Sequence, residues 1–149
     1  MAVKPICKFQ QVFKSTWLFG AYSPITGAHF ELILPHCNSE NFQMFLNEMS
    51  KQQPKELKIL VLDNGQFHKA KTLIIPENIV LLFLPPYCPE LNPAEKIWAK
   101  FKRAFSNNFY SKLEDVENFI SQEVSNITQS EIMKICRFSY IFLDNIWTI

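Results

Sequence analysis

A chain of 149 residues with 48% hydrophobic and 19% charged residues can bury a real core, which excludes a disordered or low-complexity polypeptide and points to one domain spanning 1–149. A formal charge of +1 excludes a global field strong enough to draw the chain onto nucleic acid or an anionic membrane, so any such contact must come from a local patch. Cys7, Cys37, Cys88 and Cys136 form no CxxC pair, which speaks against a zinc cluster or a disulfide framework.

No signal-peptide run opens the sequence, and nowhere do the roughly 18 apolar residues of a membrane span occur together, so a reduced, cytoplasmic, membrane-free protein is expected. In chain order, Trp17 to Tyr22 and Ala28 to Leu34 read as two strands joined through Pro24 and Thr26-Gly27, a hairpin. Phe42, Phe45, Leu46 and Met49 recur at helical spacing behind a cap at Asn38 or Ser39, with Pro54 beyond the end. "LKILVLD" and "NIVLLFLP" are short apolar runs expected to be parallel central strands buried on both faces.

From Pro93 to Phe105 a helix carries Ile97, Trp98, Phe101 and Phe105 on one side. Another is expected from Ser111, with Ser111 and Glu114 as a capping box, and a last one over "SEIMKICRFSYIF". For the tail "SYIFLDNIWTI", packing over the sheet and service as a partner surface are both open. Trp17, Phe19, Trp98 and Phe101 are expected in the core, and Glu31 as an outward residue of the hairpin. A hairpin followed by alternating strands and helices predicts an α/β domain with a mixed sheet, whose ligands lie beyond the carboxyl ends of the strands.

Asp63 follows "LKILVL" at such an end, and Glu95 follows the second buried strand across "LPPYCPELNP". Two carboxylates at one sheet edge can hold Mg²⁺ or Mn²⁺, which take oxygen ligands and accept phosphate oxygens as the remainder. Each acid also has a purely local reading. Asn92 at the N-cap, Pro93 at N1 and Glu95 at N3 make a good helix start without a metal, and "DNG" makes an Asx-turn at Asp63. The prolines fix φ and hold the helix start in one place against the strand end. Lys96, Lys100 and Arg103 fall at i, i+4 and i+7 on a face apart from the aromatic stripe, either a solvated helix face or a DNA-binding stripe.

"VLDNGQFHKA" followed by "LLFLPPYCPELNPAEKIWAKFKR", with "WLFGAYSPITGAHFELILP" and "NSENFQMFLNEMS" upstream, resembles the bacterial insertion-sequence transposases of the mariner-like DDE superfamily. The resemblance implies a ribonuclease H-like fold, a mixed sheet flanked by helices, and two-metal chemistry on a DNA phosphodiester at transposon ends and target. By that resemblance Asp63 is the second catalytic acid and Glu95 the third, with Asn64 and His68 as polar companions beside Asn92. His68 would orient a ligand or approach the phosphate, or be a surface histidine after a turn.

The family's first acid lies on the first strand, whereas here no Asp or Glu precedes Glu31, and neither Glu31, Asp115 nor Asp144 carries a motif that replaces it. The expectation is therefore a catalytic domain truncated at its N-terminus, its first strand missing, without the family's helix-turn-helix region and inactive alone. Its partners would be DNA in the nucleoid and a second transposase chain, as a homodimer or a separate partner. The alternative is a non-catalytic or regulatory module that associates with a full-length transposase or a complementing fragment. An unrelated metal-dependent phosphoesterase is a further rival.

Overall fold

The computed structural model describes residues 15–141 and 145–149; Cys7, the acid-free stretch up to residue 14 and Asp144 lie outside the described residues. Strand β1 (Trp17–Tyr22) pairs antiparallel with β2 (His29–Leu34) in an unbroken register from Trp17↔Leu34 to Tyr22↔His29. The turn between them closes through Ser23 N–H on the Ala28 carbonyl at 2.8 Å and Gly27 N–H on the Ser23 carbonyl at 2.9 Å. Gly27 sits at φ +73, and a Cβ there would meet the Gln129 carbonyl oxygen at 2.3 Å, so glycine serves both the turn and its seating on the later helices.

Helix α1 (Ser39–Lys51) begins where Asn38 Oδ1 accepts the Asn41 N–H at 2.9 Å, the cap expected from sequence. Its apolar stripe of Phe42, Phe45, Leu46 and Met49 is fully buried against Phe19 and Ala21 of β1 and Leu60 and Leu62 of β3 (Lys58–Leu62). Lys58 is itself buried. Its ammonium reaches the carbonyls of Gln52 at 2.5 Å and Gln53 at 3.1 Å, satisfying acceptors just past the end of α1.

Strand β4 (Ile79–Phe83) runs parallel to β3 from Lys58↔Ile79 to Leu62↔Phe83, as the paired apolar runs predict. Contrary to expectation it is an edge strand. Ile79 packs into the core, while Val80 and Leu82 on the other face are 47% and 51% exposed, because among the described residues no helix covers that face of β4. Helix α2 (Ala94–Ser106) covers the opposite face nearer β1, burying Ala94, Ile97 and Phe101 with Tyr22. Trp98 is half-buried, edge-on to Tyr22 with centroids 5.5 Å apart, whereas Trp17 is exposed at the start of β1 rather than in the core.

Helix α3 (Leu113–Asn126) starts without the expected capping box, since Ser111 Oγ faces Asp115 at 3.4 Å instead of the backbone. Helix α4 (Gln129–Ile135) is capped by Thr128, whose hydroxyl accepts the Glu131 N–H at 3.1 Å, and ends well short of the predicted last helix. The tail then contributes β5 (Ile146–Thr148), which neither lies over the sheet nor presents a surface but enters it. In the five-stranded order β2-β1-β5-β3-β4, β5 is central, parallel to β3 and antiparallel to β1. This mixed sheet with helices on both faces is consistent with the ribonuclease H-like fold.

Glu31 also departs from its expected outward place. Its side chain is largely buried, with both carboxylate oxygens 2.9 Å from His29 Nδ1, and desolvation raises its pKa despite that histidine. Tyr22 lies against it without a well-formed hydrogen bond; burial first, then the carboxylate, hold the phenol well above its ordinary range.

If β5 is integral to the sheet, Trp147→Ala, which empties a site only 6% exposed, will lower stability in urea by about 3–5 kcal/mol. An unchanged midpoint would show that the tail is dispensable to the core.

Candidate functional site

The carboxyl ends of β3 and β4 lie at the same edge because the two strands are parallel and in register. Asp63 is the first residue past β3. Its Oδ1 accepts the Gly65 N–H at 2.9 Å, so the Asx-turn of "DNG" is present, and the same oxygen lies 3.0 Å from His68 Nδ1. The side chain is 60% exposed, and Oδ2 takes no part in either contact. One oxygen is anchored and the other is left for a ligand.

His68, in a 3₁₀ turn over Gln66–Lys69, is not the surface histidine of the local reading: it is 7% exposed, with its ring 4.7 Å from that of Phe42. Burial lowers its pKa below the ordinary 6.5, against the pull of Asp63 in the other direction. The ring is therefore neutral near pH 7, and an Nδ1–H facing an acceptor-only carboxylate fixes the tautomer. Asn64 turns inward, donating from Nδ2 to the Leu84 carbonyl at 2.6 Å and so tying the end of β3 to the start of the proline loop.

That loop reverses at Tyr87, which sits at φ 59 with its ring fully exposed, then forms a 3₁₀ turn over Pro89–Leu91 that delivers Asn92. Asn92 is buried and extended, and its Oδ1 accepts the Ala94 N–H at 3.1 Å, so it caps α2 as the sequence predicts. Glu95, at N3 of that helix start, does not take the Asn92 N–H. The Asn92 N–H donates instead to the Pro89 carbonyl at 3.0 Å, and the Glu95 side chain is exposed.

A run of hydrogen bonds ties the end of β3, before Asp63, to the start of α2, where Glu95 stands. Val61 offers its carbonyl to the Ile149 N–H at 3.0 Å, and Ile149 offers its own to Asn92 Nδ2 at 2.6 Å. Asn92 then holds the first turn of α2, where Glu95 stands. The sequence reading missed this bridge, since nothing local links Asn92 to a residue so far along the chain.

Lys96 and Arg103 are exposed on α2, as a stripe requires, whereas Lys100 is half-buried and paired with Glu131 of α4 at 2.8 Å. The Lys96 ammonium lies 4.8 Å from the centre of the Phe138 ring. Among the described residues no group of three or more His, Cys, Asp or Glu side chains is arranged to hold a metal ion, and no helix is long and apolar enough to cross a membrane. The Cys136 thiol is buried, its pKa pushed up to about 12, so it is no nucleophile.

Residues 7–120 match the family model of the DDE superfamily endonucleases. An uncharacterized protein of Sinorhizobium fredii, y4pE/y4sA, is 37% identical over 103 residues, covering 67% of this chain and 76% of its own length. No solved structure matches.

Because the folded state holds His68 below 6.5, the unfolded chain binds the proton first, and this contribution to stability is complete above 6.5 and lost as the pH falls below it. The urea midpoint of the wild-type chain will drop between about pH 7 and about pH 5 by more than that of His68→Asn. Parallel declines in the two proteins would contradict a buried neutral His68.

Proposed function

The chain belongs to the DDE superfamily endonuclease family, and we propose that it acts in the cutting and joining of DNA at insertion-sequence ends, as a mariner-like transposase catalytic domain. One observation supports this reading: an exposed carboxylate, Asp63, directly follows β3 and is anchored by His68, and a second, Glu95, is exposed on the first turn of α2, which the Asn92 cap ties to the same sheet. The donor set is anionic and all oxygen, which suits Mg²⁺ or Mn²⁺ rather than a softer ion. Asp63 and Glu95 would hold it. When bound, such an ion activates the attacking hydroxyl and stabilises charge on the leaving oxygen of the phosphodiester.

The chain's own residues supply position and charge. His68 keeps Asp63 Oδ1 engaged, so Oδ2 points away from the turn and ligation costs little ordering entropy. Asn64 holds the proline loop against β3, and Lys96 and Arg103 neutralise flanking phosphates beside Glu95. A two-ion site needs a carboxylate beyond this pair, so the chain alone turns over DNA slowly or not at all, and full activity requires a second transposase chain.

A second reading is favoured by the lack of a three-ligand group among the described residues. In it the domain is a non-catalytic module that binds DNA or another transposase without cleaving.

In Mn²⁺ titrations, Asp63→Asn and Glu95→Gln will abolish measurable binding and His68→Asn will weaken it by about 10- to 100-fold. Unaltered affinity in Asp63→Asn would reject the site. Nicking of DNA bearing element ends only when a partner transposase chain is added favours the enzyme; retained DNA binding without nicking in either mixture favours the module.

A further inference from the structure

Lys100 and Glu131 join two helices across a concave surface of about 700 Å³ that is also lined by Lys96 and Arg103 of α2 and Lys134 of α4. Four cations and one carboxylate leave this groove at a formal +3, while the whole chain is +1, so everything else together is −2. The local positive patch demanded by a nearly neutral chain is thus concentrated here, running from the first turn of α2 beside Glu95 along its length.

We propose that the α2–α4 groove is a seat for the phosphodiester backbone of duplex DNA, in which Lys134 is a contact as direct as the α2 stripe and Glu131 is an internal competitor that occupies Lys100 until a phosphate displaces it. The inference rests on the DNA reading above and deepens it by naming a second helix and an exchange step. Three features carry it. Lys134, Lys96 and Arg103 are exposed and, among the described residues, pair with no carboxylate, so their charge is available. Lys96 is steadied by the Phe138 ring, a contact that orders the ammonium without neutralising it. The Lys100–Glu131 pair is about one-third exposed at both ends, and a pair so hydrated is weak enough for a phosphate to replace its carboxylate.

The exchange is balanced: one Lys100 ion pair breaks, another forms with a phosphate oxygen, and Glu131 returns to water. Counterions released from the DNA drive it, so each cation engaged should add about 0.9 to the slope of log affinity against log salt.

The test is binding of a labelled duplex of arbitrary sequence in EDTA, which removes cleavage and metal from the readout, across a range of salt. Lys134→Ala is expected to weaken binding about fivefold near physiological salt and to flatten the slope by about 1, matching Arg103→Ala. Glu131→Gln should tighten binding severalfold, and most of that gain should vanish in a Lys100→Ala background. All of these positions lie on the surface or at its margin, so circular dichroism suffices to show that each variant folds. If Lys134→Ala binds like wild type while Lys96→Ala and Arg103→Ala are weakened, α4 is no part of the seat; the proposal falls and the DNA reading stands. A Glu131→Gln gain that persists without Lys100 overturns the exchange. No effect from any of the four cation variants overturns the groove and the DNA reading together.

Discussion

A three-residue strand at the centre of the sheet determines where the two candidate acids stand. β5 hydrogen-bonds along β3 up to the residues before Asp63, and the chain then continues to Ile149, whose carbonyl receives Asn92. Asn92 is buried with its amide nitrogen on that carbonyl and its amide oxygen on α2, so moving α2 away would strand both ends of a buried amide, at about 1–3 kcal/mol for each unmet group. The angle of α2 is thereby referred to β3, and Glu95 to Asp63. Covalent connection alone, through the long loop after β4, would leave that relation free.

The proline loop then has a limited task. Pro85 and Pro86 restrict the chain as it leaves β4, Tyr87 reverses it in a left-handed conformation that costs about 1–2 kcal/mol for a residue with a Cβ, and Pro93 opens the helix. Asn64 and the Leu84 N–H on the Leu62 carbonyl pin the near end, while the Tyr140 hydroxyl on the Leu91 carbonyl pins the far end. Rigidity at both ends of a stiff segment is what preorganisation of a ligand requires.

Charge follows the same economy. A neutral His68 holds Asp63 without cancelling its negative charge, so the carboxylate keeps its attraction for a cation while losing its freedom to rotate. On the next helix, aromatic support for Lys96 orders a cation and leaves it charged. In both places the fold positions a charge with a neutral partner. Lys100, by contrast, is held by an opposite charge.

Local periodicity and capping chemistry alone determined much of this protein. The hairpin at Trp17, the cap at Asn38, the parallel pairing of the two apolar runs and the Asn92 cap were legible, because each depends on residues a few positions apart. What the tertiary structure decided concerns partners distant in sequence. "NIWTI" is too short to announce a strand, and only the vacant edges of β1 and β3 make it one. Burial of His68 depends on Phe42 from α1, exposure of Val80 and Leu82 on the edge position of β4, and the pairing of Lys100 on α4. That Asp63 follows β3 and Glu95 opens α2 is written in the sequence; how those two points are held together is set by hydrogen bonds between residues that folding alone makes neighbours.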